Sequence, residues 1–260
     1  PEGVTDGAPL LIVDDVLDGL TALGAAGRAR TGAQVIGVTG SVGKTSSKEM
    51  LREALTSLVR VHAAEASYNN QWGVPLTLAR MPADTDVAIV EIGMNHPGEI
   101  APLSRLTRPH VALITTVVGA HMEAFDDLDG IAHEKASIFE GLEPGGIAII
   151  PGDLGVSGIL RAAAGPGAVT FGPDHANDWH LISVRLGAAS VTGQAGTPLG
   201  PLLFKIASPG RHFAENALGV LAVADAVGAD MAIAIADLGR WQPPAGRGTR
   251  EELVLDDFAP

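Results

Sequence analysis

A glycine-rich stretch at residues 37–45 (GVTGSVGKT) constrains the fold of this chain more than any other feature of its sequence. The apolar residues just before it predict a short buried strand, and residues 46–58 have the apolar spacing of a helix. A strand, a glycine-rich turn and a helix opening on Gly-Lys-Thr are the context of a phosphate-binding P-loop. Backbone N–H groups of such a loop, and the positive end of its helix, face phosphate oxygens.

The glycine spacing differs from the common P-loop pattern, whose first glycine would fall at Val38. The glycines of this loop stand at positions 37, 40 and 43 instead. In a P-loop, Lys44 would reach the β- and γ-phosphates and the Thr45 hydroxyl would bind Mg²⁺. The alternative is a glycine-rich turn between strand and helix that carries an exposed lysine.

Composition excludes several classes of function. The chain has 260 residues, 46% of them hydrophobic, with no cysteine and a net charge of −13. This acidic balance argues against nucleic-acid binding, which depends on a basic surface. The lack of cysteine excludes disulfides and thiolate metal sites, and it fits a reducing cytosol. No apolar run is long enough to span a bilayer, so we expect a cytoplasmic protein that does not bind membranes.

The pattern of apolar residues predicts an α/β fold. Continuous apolar strands at residues 86–92, 110–118 and 146–150 alternate with helices, among them 128–142. This alternation is typical of a P-loop-type, mostly parallel sheet with helices on both faces. Weaker strands at 179–186 and 202–206 predict a small antiparallel extension. Helices are also predicted at residues 14–26, 213–227 and 231–238.

Two polar residues follow predicted strands at the edge of the sheet where ligands bind. Glu91 ends a hydrophobic strand, a position from which a carboxylate meets Mg²⁺ or its water, although a solvated or capping carboxylate is the alternative. His121 follows the next strand and is a metal ligand, a general base or a loop residue. Lys135 lies within a helix, and spacing alone predicts a surface lysine paired with Glu134 or Asp129.

Other polar residues are candidates for ligand contacts. Asn69 and Asn70 contact a substrate or fill a turn. Asn216 lies near the start of a helix, where N–H groups favour an anion. Arg247 stands between glycines and suits bidentate phosphate contact. For each of these residues the alternative is a cap or an ordinary surface position.

Six segments taken in order resemble the Mur ligase family. They are residues 37–50 (GVTGSVGKTSSKEM), 69–78 (NNQWGVPLTL), 91–100 (EIGMNHPGEI), 120–125 (AHMEAF), 133–142 (HEKASIFEGL) and 209–218 (PGRHFAENAL). The glycine spacing of this family accounts for Val38. The resemblance implies an ATP-dependent amide ligase of peptidoglycan precursor synthesis. Segments 69–78 and 91–100 are most similar to the member that adds D-alanyl-D-alanine to UDP-N-acetylmuramoyl-tripeptide.

The resemblance also implies roles for particular residues. The ATP phosphates would be held by Gly40, Ser41, Val42, Gly43, Lys44, Thr45 and Ser46. A first Mg²⁺ would be bound by Thr45 and a second by Glu91, His121 and a carbamylated Lys135. The implied catalytic residues are Lys44, His121 and Lys135.

The remaining implied contacts are with the nucleotide base and the second substrate. Asn216 would face adenine, Arg247 the nucleotide phosphates or ribose, and Asn69 and Asn70 the sugar-peptide substrate. Phe213 departs from the family, since many relatives have Asn there. The implied mechanism is attack of a carboxylate on the γ-phosphate, followed by attack of the D-alanyl-D-alanine amine on the acyl phosphate.

Three-domain enzymes make up this family, and the resemblance divides the chain accordingly. Residues 1–30 would lead in from a UDP-sugar-binding domain, 31–245 would be the central ATP-binding domain, and 246–260 would link to a C-terminal domain. We expect a monomer that binds nucleotide but needs the other domains for catalysis. A folylpolyglutamate-type ligase and a non-catalytic ATP-binding module are the alternatives, and segments 69–78 and 91–100 argue against the former.

Overall fold

Nine strands form one sheet in the computed structural model, which describes residues 11–119, 124–125 and 127–243. The strands are β1 (Gln34–Thr39), β2 (Val61–Ala63), β3 (Val87–Glu91), β4 (Val111–Ile114), β5 (Ile147–Pro151), β6 (Val169–Gly172), β7 (Trp179–Leu186), β8 (Val191–Gly196) and β9 (Leu202–Ile206). The helices are α1 (Val16–Ala29), α2 (Lys44–Thr56), α3 (Gly73–Ala79), α4 (Ile100–Thr107), α5 (Leu128–Ala136), α6 (Ser157–Ala164), α7 (Arg211–Ala226) and α8 (Met231–Leu238), with a 3₁₀ helix at Ser137–Gly141.

The strand order is β2-β3-β1-β4-β5-β6-β7-β8-β9. All pairs from β2 to β7 are parallel, and β8 and β9 are added antiparallel. The predicted α/β class and its antiparallel extension are therefore confirmed. Because β1 lies between β3 and β4, the loops that follow these two strands flank the loop that follows β1. Ligands of open α/β sheets bind at such a place.

Side chains along the inner strands point alternately to the two faces of the sheet, and each face carries a hydrophobic core. On one face, Ile36 and Val38 of β1 pack in a cluster with α2, α7 and α8. On the other face, Val35 belongs to a cluster with α3, α4, α5 and α6. Both faces of the parallel strands are thus covered, which explains why these strands are apolar at nearly every position.

The first helix packs tightly against α3 and α4. A Cβ atom on Gly27 would lie 2.2 Å from the carbonyl oxygen of Leu78, so the two backbones approach as closely as only glycine allows. The neighbouring Arg28 is buried, and its guanidinium donates to the carbonyls of Thr107 (2.9 Å) and Arg108 (3.0 Å). These bonds satisfy carbonyl groups at the C-terminus of α4.

Most predicted elements are present, with shifted ends. The helix predicted at 46–58 is α2, which begins at Lys44, because Gly43 in the left-handed region ends the loop. The strand predicted at 110–118 ends at Ile114, because the following residues turn to bind the glycine-rich loop. The helix predicted at 128–142 becomes a 3₁₀ helix after Ala136. No prediction was made for α6 or β8.

Within the described parts of the chain, no helix combines the length and the apolar character needed to cross a membrane.

Two helical glycines give a matched stability test. We expect Gly27→Ala to lower the free energy of unfolding by about 1–3 kcal/mol, because the added methyl overlaps the α3 backbone. Gly158 of α6 has open space around it, so Gly158→Ala should raise that energy by about 0.4–1 kcal/mol by restricting the unfolded chain. Urea unfolding monitored by circular dichroism would measure both free energies of unfolding. A Gly27→Ala variant as stable as the parent chain, or more stable, would contradict the close packing of α1 on α3.

Candidate nucleotide and metal site

The glycine-rich loop between β1 and α2 has a backbone that needs its glycines. Gly40 has φ 150° and Gly43 has φ 86°, values that side-chain-bearing residues rarely adopt. A Cβ on Gly40 would lie 2.0 Å from the Thr115 hydroxyl, and one on Gly43 would lie 3.2 Å from the Asn216 amide nitrogen. The spacing of glycines at 40 and 43 is thus set by close approaches from β4 and α7.

Residues just beyond β4 hold this loop in place. The Ser41 N–H donates to the carbonyl of Thr116 (2.8 Å), and the Ser41 hydroxyl donates to the carbonyl of Val118 (2.9 Å). The Thr115 hydroxyl donates to the carbonyl of Val42 (2.6 Å). The loop therefore has a defined shape without any ligand.

Lys44 is half-buried at the start of α2 and folds back over the loop. Its Nζ donates to the carbonyls of Gly40 (2.6 Å) and Ser41 (3.3 Å). The alternative of an exposed lysine on an ordinary turn does not fit this position. An ammonium held at the mouth of a loop is placed to exchange backbone carbonyls for phosphate oxygens.

Thr45 and Glu91 meet at the carboxyl ends of β1 and β3. The Thr45 hydroxyl donates to Glu91 Oε1 (3.1 Å), and the amide nitrogen of Asn69 donates to the same oxygen (2.8 Å). The Ser67 hydroxyl completes the group at 2.8 Å from Thr45 Oγ1. Three residues predicted as ligands, Thr45, Asn69 and Glu91, are thus in direct contact.

Glu91 is the buried acid of this group. Glu91 is only 2% exposed, and its Oε2 has no hydrogen-bond partner among the described residues. A buried carboxylate oxygen without a donor is costly unless a cation or a water completes it. The solvated carboxylate considered from the sequence is therefore wrong.

The donor set fits magnesium bound together with phosphate. Across the described residues, no cluster of three or more His, Asp or Glu side chains could hold a metal alone. Mg²⁺ usually takes one or two carboxylates, several waters and the phosphates of its nucleotide. The Thr45 hydroxyl beside the unpartnered oxygen of Glu91 matches that requirement.

Lys135 on α5 is 1% exposed, so the surface position expected from helical spacing is wrong. Glu134 does not neutralise it by pairing, because its carboxylate accepts the N–H groups of Gly98 (2.7 Å) and Ile100 (2.9 Å). The pKa of Lys135 is lowered from 10.5 to about 7, mainly by burial and also by the nearby charge of Lys44, and Glu134 partly offsets both effects. An uncharged amine is thus available near neutral pH.

A cleft of about 470 Å³ adjoins the loop on the α7 side. Residues from the loop, the ends of β4, β5 and β6, and α7 line it: Val42, Gly43, Ser46, Thr115, Thr116, Val118, Pro151, Asp153, Leu154, Phe171, Gly172, Pro173, His212, Phe213, Glu215 and Asn216. Its size and mixed lining suit a nucleotide base and sugar. Ser46 and Asn216 thus line the same cleft beside the loop, and their contacts with a nucleotide stay predictions.

Phe213, the departure from the family pattern, forms part of the base of this cleft. It is buried, its ring lies 4.0 Å from that of His212, and it meets Trp241 edge-on at 5.2 Å. Arg211 forms an ion pair with Glu215 (3.0 Å), as expected for a surface residue in the first turn of a helix. The Phe213 side chain therefore contributes packing at this position and no polar contact.

The other predicted site residues are distributed as follows. The side-chain oxygen of Asn70 accepts the N–H groups of Trp72 (3.1 Å) and Gly73 (3.0 Å) and so caps α3, the turn role considered as its alternative. His121 and Arg247 lie outside the described residues.

Three polar residues of the site were not predicted. Ser67 contacts Thr45, Glu134 caps α4 from a neighbouring helix, and Lys48 is fully buried behind the loop. The signal for Lys48 was its spacing, four residues after Lys44 on the same helix face. The partners of Ser67 and Glu134 come from distant parts of the chain, which no local pattern shows.

The lowered pKa of Lys135 predicts a pH-dependent stability. Below about pH 7 both the folded and unfolded chains carry the charged amine, and its burial destabilises the fold. As pH rises from about 7 toward 10.5, the folded state releases the proton first, so the destabilisation is relieved by up to about 1.4 kcal/mol per pH unit. Lys135→Met should remove this gain.

Urea unfolding between pH 6 and 9 in CO₂-free buffer would measure this pH dependence of the free energy of unfolding. The stability advantage of Lys135→Met should shrink with rising pH, while Lys205→Met, at an exposed lysine of β9, should leave the pH profile of the parent chain. Parallel profiles for the parent and Lys135→Met would contradict the assigned pKa direction.

Comparison with known proteins gives one consistent family. A model of the Mur ligase middle domain matches residues 38–224. The UDP-N-acetylmuramoyl-tripeptide–D-alanyl-D-alanine ligase of Escherichia coli (strain K12) is 36% identical over 256 residues, or 96% of this chain and 57% of that relative.

Solved structures agree with this match. Crystal structure I of MurF from Acinetobacter baumannii superimposes with a TM-score of 0.89 at 31% identity, covering 95% of this chain and 56% of that one. A MurF ligase from Thermotoga maritima in complex with ADP has a TM-score of 0.83 at 24% identity, covering 96% and 58%, and shows the same fold. The chain spans little more than half the length of these relatives.

Proposed function

Because this chain belongs to the Mur ligase family, we propose that it is the ATP-binding part of a ligase that adds D-alanyl-D-alanine to UDP-N-acetylmuramoyl-tripeptide. The observation that carries the proposal is the contact between the loop residue Thr45 and the buried carboxylate of Glu91. It brings together, at one edge of the sheet, the Thr45 hydroxyl, an acid with one unpartnered oxygen and the glycine-rich loop.

The loop supplies the contacts for the ATP phosphates. N–H groups from residues 40–46 and the positive end of α2 attract phosphate oxygens. Lys44 would leave the carbonyls of Gly40 and Ser41 for the transferred phosphate, a move that needs only a rotation of its flexible side chain. Asn216 and the cleft beside it would receive the adenine, and Arg247 would meet the phosphates or the ribose.

Thr45 would hold the Mg²⁺ that accompanies the nucleotide, and Glu91, in contact with Thr45, would hold a second Mg²⁺. These ions would neutralise charge on the phosphates and let a substrate carboxylate approach them. Ser67 and Asn69 keep the two ligands in place, since each already bonds to one of them. Asn69 and Asn70 would lie near the sugar-peptide substrate.

Lys135 would act as a carbamate. Its neutral amine would add CO₂ and release a proton, which gives an anionic carbamate near Lys44. The charge of Lys44 disfavours the protonated amine and would favour the anion, so the pocket itself favours the modification. The carbamate, with Glu91 and His121, would provide the ligands of a second Mg²⁺.

The reaction then proceeds in two transfers. The substrate carboxylate attacks the γ-phosphorus, the bond to the β-phosphate oxygen breaks, and ADP leaves an acyl phosphate. The amine of D-alanyl-D-alanine attacks the acyl carbon, the amide forms through a tetrahedral intermediate, and phosphate leaves. The role of Lys44 is to stabilise charge on the transferred phosphoryl group, which dominates such catalysis.

Removal of the Lys44 ammonium should weaken nucleotide binding and leave the fold intact. We expect Lys44→Ala to weaken Mg²⁺–ATP binding at least tenfold in calorimetry, since a charge-assisted bond to phosphate is lost. Lys205→Ala, on the far strand β9, should bind as the parent does, and GTP should bind more weakly than ATP. Unchanged binding by Lys44→Ala would contradict the loop assignment.

Substrate choice tests the ligase proposal against a folylpolyglutamate-type activity. The full-length protein that contains this chain should form an amide from UDP-N-acetylmuramoyl-tripeptide and D-alanyl-D-alanine with release of phosphate. Glutamate addition to a folate, with no turnover of the sugar-peptide, would overturn it. ATP binding with no turnover of either substrate would favour the non-catalytic module.

Carbamylation of Lys135 should respond to CO₂. In the full-length protein, ¹³C-bicarbonate should give a carbamate carbon signal by NMR that is absent from Lys135→Met. The signal should grow as pH rises through about 7, because only the neutral amine adds CO₂. A signal that persists in Lys135→Met, or ligase turnover that is equal in CO₂-depleted buffer, would contradict this role.

A further inference from the structure

Lys48 is a fully buried lysine one helical turn beyond Lys44 on α2. Its Nζ lies 2.6 Å from the carbonyl oxygen of Ala64, 3.1 Å from that of Ala66 and 2.9 Å from Glu49 Oε1. An ammonium has three N–H donors, so three acceptors satisfy it completely. A buried lysine this well satisfied is a fixed part of the structure, with no donor left over for a ligand.

Two of these acceptors belong to the β2–α3 connection, residues 64–72. The connection carries Ser67, whose hydroxyl is 2.8 Å from Thr45 Oγ1, and Asn69, whose amide donates to Glu91 Oε1. It has little regular structure of its own, since β2 ends at Ala63 and α3 begins at Gly73. Lys48 ties it to the helix that also bears Thr45.

The far end of the connection is fixed separately. The carbonyl of Asn69 accepts the N–H of Gly93 (2.7 Å), just beyond β3. The connection is therefore held by Lys48 at residues 64 and 66 and by the β3 end at residue 69. Ser67 lies between these two anchor points, which sets the place of its hydroxyl against Thr45.

We propose that Lys48 is a positioning residue for the magnesium site, acting through the β2–α3 connection on Ser67 and Asn69. The inference deepens the proposed function and rests on it. Among the described residues, the Lys48 side chain makes no hydrogen bond to the side chain of Thr45 or Glu91. Its effect passes through the backbone carbonyls of Ala64 and Ala66. Its removal frees the end of the connection nearest Ser67, and Thr45 loses a fixed partner.

The expected signature is selective for the metal. Lys48→Met should raise the Mg²⁺ concentration that half-saturates ATP binding about tenfold, because two ligand-orienting contacts become loose. ATP binding without Mg²⁺ should stay within about twofold, since the loop and Lys44 are unchanged. Lys48→Arg keeps a charged donor and should restore most of the Mg²⁺ affinity.

The experiment uses the 260-residue chain and has two independent readouts. Calorimetric ATP titrations at several Mg²⁺ concentrations report the site, and hydrogen–deuterium exchange without any ligand reports the connection. Residues 64–72 should exchange faster in Lys48→Met, with the sheet strands unchanged. Lys205→Met is the matched control, since it removes an exposed lysine by the same substitution.

The outcomes distinguish a failure of the Lys48 positioning role from a failure of the nucleotide-binding proposal. If the parent chain binds no ATP at any Mg²⁺ concentration, the nucleotide proposal fails, whatever the exchange shows. If the parent binds and Lys48→Met has the parent's Mg²⁺ dependence, the positioning role is overturned. Equal losses with and without Mg²⁺ also overturn it, because they indicate general destabilisation.

Lys48→Gln, which keeps an amide donor of shorter reach, decides the case if Lys48→Met does not fold. Faster exchange at residues 64–72 together with a several-fold higher Mg²⁺ requirement would support the role. An unchanged Mg²⁺ requirement in a folded Lys48→Gln would overturn it, whatever the exchange shows.

Discussion

The buried carboxylate of Glu91 is the interaction on which the site depends. A charged group at that depth is costly, and here two donors, Thr45 and Asn69, offset the cost at one oxygen. The other oxygen has no hydrogen-bond partner among the described residues. Because Thr45 lies in the first turn of the helix after β1 and Asn69 precedes α3, this single carboxylate joins three connections of the sheet. The strand order, with β1 between β3 and β4, makes that junction possible.

Charge is distributed unevenly around this junction. The chain carries a net charge of −13, yet three of its four lysines, Lys44, Lys48 and Lys135, lie at or behind the loop. Each has a different state: Lys44 binds loop carbonyls, Lys48 is saturated by acceptors, and Lys135 has a pKa lowered to about 7.

The parts of the site that sequence could predict are those encoded locally. The loop and Thr45 follow from a motif, and Glu91 follows from the rule that parallel strands end at one edge. The spacing of Lys48 puts it on the helix face of Lys44, but its contacts and those of Ser67 could not be predicted, since their partners lie 16 to 22 residues away and are brought close only by packing. For the same reason, helical spacing gave the wrong environment for Lys135, whose burial depends on what α5 packs against. The strand β8 (VTGQAG) lacks an apolar run and is defined by pairing with β7 and β9.

The edge-on contact of Phe213 with Trp241 has a mechanical consequence. Phe213 lines the cleft beside the glycine-rich loop, and Trp241 follows α8 near the end of the described residues. Trp241 is buried in the same apolar cluster as α7 and the last strand of the sheet, so residue 241 has a fixed position relative to the cleft. A substitution that removes either ring would therefore disturb the lining of the cleft and the exit of the chain from α8 together.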